Sequence, residues 1–386
     1  MRSTFSIIFL LALTGMAAGT QAQSIFQVVP TPEGNLPEPG NNYLYAASAS
    51  SPSDIWAVGA TTIHFDGTQW TAYRAPGMPG LGTSWLRGVV DISPTEAWAG
   101  GLINIDTEDK TPSQVIERWN GTEWNVFPGP QFASGDQPSI NGMAGISATD
   151  IWTAGSMLTS DGGLESLFEH WDGTAWTAVT GPLHGFPEAI SADAANDIWV
   201  VGYNPGGLAF STAAYHYNGT SWSPVTTPNV GSGSNSLNGV LALAPNNVWA
   251  VGYSTASTKP PPNQYEVPTK TLIVHYDGTG WSVVPSPNVG PNTQYQSNRL
   301  LGLTAVSPTD IWAFGSYFAA SGSNNQMTLV MHWDGTSWTL AASPNPQANS
   351  ILNDILWGGV ATAPGSVWIV GSEDVFYTLV LHTTGG

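Results

Sequence analysis

The sequence predicts an all-β fold, a seven-bladed β-propeller of four-stranded antiparallel blades, from three observations. First, a Trp followed three residues later by Gly recurs at Trp56/Gly59, Trp98/Gly101, Trp152/Gly155, Trp199/Gly202, Trp249/Gly252, Trp312/Gly315 and Trp368/Gly371. Consecutive copies lie 42 to 63 residues apart, the spacing of an array whose units bury their apolar faces only against one another. Second, an Asp-Gly or Asn-Gly hairpin signal follows at Asp66, Asn120, Asp172, Asn218, Asp277 and Asp334, in six of the seven copies. Third, the strand missing from the seventh copy stands at the other end of the chain.

Each strand has its own signature. Ten residues before the Trp the side chain is always small: Ala46, Gly88, Gly142, Ala189, Gly239, Gly302 and Gly358. Two residues earlier it is apolar or Pro: Leu44, Leu86, Ile140, Pro187, Leu237, Leu300 and Leu356. Period-two alternation across this run predicts the first strand, ended by turns such as Ser51-Pro-Ser-Asp54 and Ser307-Pro-Thr-Asp310. The Ile-Trp-Ala-Val-Gly phrase is the second strand. A third ends in His and an aromatic, then Asp-Gly-Thr-x-Trp leads into the fourth, as in Leu272-Ile-Val-His275-Tyr276-Asp277-Gly278-Thr-Gly-Trp281. The Asp-Gly turns are expected to carry positive φ at both central residues.

The seventh copy stops soon after His382. Phe26-Gln-Val-Val-Pro30-Thr-Pro32 matches Trp281-Ser-Val-Val-Pro285-Ser-Pro287 nearly position for position, so residues 25–32 are expected to complete the last blade and close the ring. Closure removes the open sheet edges of an array. Through Tyr276-Asp277 with Trp281, and Trp333-Asp334 with Trp338, the chain resembles the kelch and galactose-oxidase type of propeller over residues 25–382. It departs from that pattern in having one Gly where kelch repeats have a pair, and in a shorter spacing from aromatic to Trp. The resemblance implies a fold that hosts oxidases, lectins and protein-binding modules alike.

Residues 1–22 read as a secretory signal peptide: Arg2, an apolar core from Phe5 to Leu13, and Thr20-Gln21-Ala22 as the cleavage site. The mature domain is expected to span residues 23–386 and to be secreted, to a periplasm or the extracellular medium. No later stretch reaches the roughly 20 apolar residues of a spanning helix, and there is no Cys for a disulfide or lipid anchor. The net charge of -19 reflects scarcity of base, with 8 Lys and Arg against 27 Asp and Glu. Nucleic acid and anionic membranes are therefore poor partners. Low total charge also suits an acidic medium.

Several chemistries are disfavoured. Six of seven His (His64, His170, His216, His275, His332 and His382) occupy one slot, with Arg118 in the remaining copy. Each belongs to a different blade, so they cannot share a metal ion, and they are expected to bond to backbone or to a neighbouring blade. His184 falls in the link after the third blade, as a turn or exposed residue. The Asp residues of the turns and of the positions before the Trp, such as Asp54, Asp150, Asp197 and Asp310, have turn-forming roles. No cofactor is expected, calcium being left open for some of these carboxylates, and the ligand ladder of an EF-hand loop is absent. The mature arginines, Arg74, Arg87, Arg118 and Arg299, are too few for a sialidase-like cluster, and a Tyr–Cys copper site is excluded.

The candidate ligand site follows from topology. Second turns and inter-blade links vary in length and lie together on one face, often the binding face of a repeat protein. That face includes the starts of the innermost strands, thirteen and eleven residues before each Trp: Tyr43/Tyr45, Trp85/Arg87, Ser139/Asn141, Phe186/Glu188, Ser236/Asn238, Arg299/Leu301 and Ile355/Trp357. Repeats that agree elsewhere differ here. Of the 18 Trp, only Trp85 and Trp357 have no place in the repeat, and both fall in this ring. They are expected to form an aromatic platform for a sugar, with Arg87, Asn141, Glu188 and Asn238 supplying hydrogen bonds. The expected function is a non-enzymatic module that binds an extracellular glycan or protein, carbohydrate first. The alternatives are a polysaccharide lyase or glycoside hydrolase using Glu188, and a cell-surface scaffold using the insertions of blades two and five. Oligomeric state is not legible.

Overall fold

The computed structural model describes residues 24–32, 42–76, 85–103, 113–180, 185–259, 267–290, 297–318, 325–346, 353–374 and 377–383. The expected signal peptide, His184, most of the blade-two insertion and residues 260–266 of the blade-five insertion lie outside them. The described residues form seven antiparallel four-stranded sheets and no helix. Blade five is representative, running Asn235–Ala244, Asn247–Thr255, Thr269–Tyr276 and Trp281–Val284 from the channel outwards. In blade seven the outermost strand is Phe26–Val28, paired with Tyr377–Thr383 in the register Phe26 to Thr383. The ring closes through the N-terminal strand, as the sequence pattern predicts.

The repeated residues form one structural unit per blade. The second-strand Trp pairs across the sheet with the third-strand His, as in Trp56 with His64 and Trp249 with His275; in blade two Trp98 pairs with Arg118. In six blades the imidazole lies on the indole with centroids 3.9 to 4.4 Å apart. Contrary to the sequence reading, its Nε2 reaches neither backbone nor a neighbouring blade. It bonds instead within its own blade, to Asp54, Asp150, Asp197, Asn247 and Asp310 at 2.6 to 2.9 Å and to Ser366 at 3.1 Å. The physical reason is register: the turn residue two before the Trp stands beside the His, and it accepts the indole N–H as well in Asp150, Asp197 and Asn247. Blade two substitutes the unit as a whole, since Arg118 donates to Glu96 at 2.8 Å and lies 5.1 Å from the Trp98 ring centroid.

The same Trp holds the next blade. Trp56 meets Trp119 and Trp124 of blade two at 4.9 Å each, and Trp249 meets Trp333 and Trp338 of blade six at 4.9 and 5.7 Å. These edge and tilted contacts are the preferred aromatic geometries. At closure Phe26, 2% exposed, takes the fourth-strand Trp position and meets Trp312 edge-on at 5.3 Å. Thr31 bonds to Thr378 at the place where Thr227, Ser286 and Ser343 meet Thr212, Thr271 and Thr328 in blades four to six.

The third turns differ from the expected geometry. Only the Gly has positive φ, for example 91° at Gly67 and 92° at Gly278, and the Asp does not. The loop has four residues rather than two, with the Asp66 carboxylate accepting from Thr68 N, Thr68 Oγ1 and Gln69 N at 2.6 to 2.9 Å. Side-chain capping replaces the second left-handed residue. These hydrogen bonds hold Asp66, Asp172, Asp277 and Asp334 at about 2.

Two predictions follow from this architecture. Phe26→Ala should destabilise the protein by roughly 3 kcal/mol, the usual cost of emptying a buried aromatic site, and deletion of residues 25–32 should lower the melting temperature of the whole domain; unchanged melting in urea or heat would contradict closure by this strand. Burial pushes Asp91 and Glu169 up to about 7. Stability from that source is complete below about pH 4, the unfolded carboxylate value, and is lost as pH rises through about 7. The turn carboxylates have the opposite sign: their contribution is present above about pH 4 and is lost as pH falls to about 2. Melting temperature should therefore be higher at pH 5 than at pH 8 and fall again below pH 3, and Glu169→Gln should flatten the neutral limb.

Candidate functional site

The repeated Gly builds the site. A Cβ on Gly59, Gly101, Gly155, Gly202, Gly252, Gly315 or Gly371 would stand 1.8 to 2.1 Å from the carbonyl oxygen of Tyr43, Trp85, Ser139, Phe186, Ser236, Arg299 or Ile355 respectively. No side chain fits there. The inner strand presses its carbonyl onto the glycine because it carries a β-bulge at the same level. Register jumps from Leu44 to Ala46, Leu86 to Gly88, Ile140 to Gly142, Pro187 to Ala189, Leu237 to Gly239, Leu300 to Gly302 and Leu356 to Gly358. The residue left unpaired is Tyr45, Arg87, Asn141, Glu188, Asn238, Leu301 or Trp357. A bulge re-aims the extra residue's side chain, and here all seven line one cavity at the channel mouth.

That cavity has a volume of about 430 Å³, within the range of small-molecule sites. Small residues beneath the bulges let neighbouring inner strands close up: a Cβ on Gly88 would meet Met143 N at 2.6 Å and one on Gly358 would meet Ala46 Cα at 2.7 Å. The floor is apolar, with Val89, Met143, Ile190, Val240, Leu303 and Phe314.

The cavity brings together one tier of the expected ring of paired residues. Thirteen residues before the Trp, only Ser236 lines the cavity; Tyr43, Trp85 and Arg299 do not. Trp85 and Arg299 sit in the regular ladder, paired with Leu102 and Ser316, and Tyr43 precedes the first strand of its blade. They support the inner tier instead. Tyr43 stacks on Tyr45 at 5.9 Å, and Trp85 lies 6.0 Å from the Arg87 guanidinium. The Arg299 guanidinium lies 5.1 Å from the Tyr253 ring centroid. Trp357 does reach the cavity and meets Tyr45 edge-on at 5.2 Å.

Asn141 and Asn238 are engaged structurally. Each donates from Nδ2 to a carbonyl of the next blade, Asn141 to Pro187 at 2.8 Å and Asn238 to Leu300 at 2.9 Å, while Ser236 donates to Asn238 Oδ1 at 2.9 Å. Arg87 has no hydrogen-bonded carboxylate among the described residues, and its guanidinium lies 5.0 Å from the Tyr45 ring centroid, a cation–π arrangement. Glu188 is the one carboxylate of the cavity lining among the described residues. Burial pushes it up to about 6, and attraction to Arg87 offsets part of that shift.

Three lining residues escape the repeat frame of the inner strands. Tyr203 and Tyr253 follow the repeated Gly of blades four and five, and Phe210 comes from the blade-four second turn, 41% exposed. Tyr203 lies between Phe186 and Phe210 at 4.9 and 4.8 Å. A Tyr at that place in only two repeats was the available signal. Among the described residues no group of three His, Asp or Glu stands close enough to hold a metal ion. The turn carboxylates considered for calcium cap their own loops.

No family model and no curated protein matches the sequence. Solved structures do share the fold. YCF48 bound to a D1 peptide is 12% identical with a TM-score of 0.55, covering 94% of this chain and 97% of its own. YCF48 from Cyanidioschyzon merolae is 16% identical with a TM-score of 0.51, over 93% and 98%. The extracellular domain of the one-component system BT4673 from B. thetaiotaomicron is 16% identical with a TM-score of 0.55, over 93% of this chain and 40% of its own. These likenesses define the class as a seven-bladed β-propeller.

Gly202→Ala tests the bulge. Its Cβ would lie 1.9 Å from Phe186 O, so the substitution should destabilise by about 2 kcal/mol or more and shift Glu188. Gly280→Ala, whose Cβ meets nothing within 4 Å, should be neutral or stabilise by up to about 1 kcal/mol. Equal chemical denaturation midpoints for the two variants would contradict the close contact.

Proposed function

We propose that this propeller is an exported, non-enzymatic binding module that takes the end of an extracellular ligand, carbohydrate in class, into the channel mouth. The observation that carries the reading is the convergence of all seven bulge residues on one cavity. Side chains that differ from blade to blade and converge on one cavity are what a ligand site needs. The mixture of aromatic rings, amides, one guanidinium and one carboxylate supports a polyhydroxylated ligand.

A hydrolase acting on the same ligand would need a second carboxylate about 5 to 9.5 Å from the first. Among the described residues Glu188 has none in the lining, which weighs against the enzyme reading. A peptide ligand is the second reading, favoured by the peptide-bound YCF48 neighbour. The BT4673 neighbour is an extracellular domain, consistent with export, and no helix among the described residues is long and apolar enough to cross a membrane.

The test is titration of the protein against a panel of neutral and acidic oligosaccharides and peptides, recording binding and product release together. Trp357→Ala should weaken sugar binding at least about tenfold, equivalent to about 1.4 kcal/mol, and Trp85→Ala, outside the lining, should weaken it less. Turnover abolished by Glu188→Gln would replace this reading with the enzyme.

A further inference from the structure

Resting on that reading of the channel mouth, we propose that its ligand is an acidic sugar, a hexuronate unit whose carboxylate docks on Arg87. The chain has only 8 Lys and Arg in all, yet a bulge aims one of them into the cavity, where no carboxylate of the described residues bonds it. The Tyr45 ring lies beside the Arg87 guanidinium and fixes it, with Tyr43 on Tyr45 in turn. A guanidinium held this way presents its N–H fork to a planar carboxylate, which a point charge on Lys would not do.

The remaining groups fit ring hydroxyls. The Trp357 ring lies in the same lining as the Tyr203 and Tyr253 phenols and the acceptor Glu188. Polar groups scattered around one cation match a polyol bearing a single acid. A unit that is phosphorylated or multiply sulfated is disfavoured, because the single guanidinium of the lining cannot match several anionic groups on one sugar ring.

Glu188 makes recognition depend on pH. The charged or titratable groups around it are Arg87, Tyr45, Tyr203 and Tyr253. Burial raises the Tyr45 and Tyr203 phenols further from the neutral range, whereas it brings Glu188 into that range, so Glu188 is the group whose change of state is felt there. Its negative charge opposes an incoming carboxylate, and protonation removes that opposition.

The experiment is calorimetric titration with trigalacturonate and with its methyl ester, which keeps the ring and removes the charge. The acid should bind at least tenfold more tightly than the ester. Arg87→Gln should bring the two to within about twofold, and Arg87→Lys, retaining charge without the fork, should fall between. Acid binding should tighten from pH 8 to pH 5, and Glu188→Gln should flatten that dependence; thermal melts of each variant exclude loss of fold. Equal binding of acid and ester, or a preference that survives in Arg87→Gln, overturns the carboxylate dock while leaving a sugar-binding mouth. Binding of a peptide with a free C-terminus, but not its amide and neither sugar, overturns the hexuronate assignment. Silence to every probe removes the binding-mouth reading together with this one.

Discussion

The contact on which everything else depends is that between the Gly three residues after each Trp and the carbonyl oxygen of the residue two before the inner-strand bulge. Because a Cβ there would approach to about 2 Å, the position admits Gly alone, in all seven blades. With that carbonyl seated on the glycine, the inner strand bulges, and one side chain per blade leaves the ladder for the channel. A single backbone approach thus links the most repetitive residue of the chain to its least repetitive ones. Fold and site are two consequences of the same packing.

The rest of the repeat holds the ring rigid around that mouth. Each second-strand Trp is held between the third-strand His or Arg of its own blade and the aromatics of the next, with an Asp, Asn, Glu or Ser bonding the His or Arg. The contact passes from blade to blade and is completed at the seam by Phe26 against Trp312. The histidines and their carboxylates are consequently engaged in structure. A ligand has the channel mouth and the variable loops left to it.

The propeller, its blade count and its closure were legible because they rest on residues that repeat. Period-two alternation, Asp-Gly turns and the match of Phe26 to Trp281 are local signals, and the fold follows from adding them. The details that escaped depend on geometry between strands. Alternation alone places Tyr43 and Tyr45, or Trp85 and Arg87, on one side of a strand; the bulge separates them, so Tyr45 and Arg87 reach the cavity and Tyr43 and Trp85 do not. Likewise nothing local shows that Asn141 and Asn238 bond the neighbouring blade, or that Tyr203 and Tyr253 lean in from second strands. The third turns were read as two-residue hairpins because Asp-Gly signals them, whereas the Asp caps the loop with its own carboxylate.

The most direct measurement is a crystal structure of the protein grown with trigalacturonate. Electron density for the sugar at the channel mouth, touching Arg87, Glu188 and Trp357, is the expected result. Well-ordered sugar bound only on the opposite face of the ring or along the outer strands, with the mouth filled by solvent, would contradict a ligand site built by the bulges.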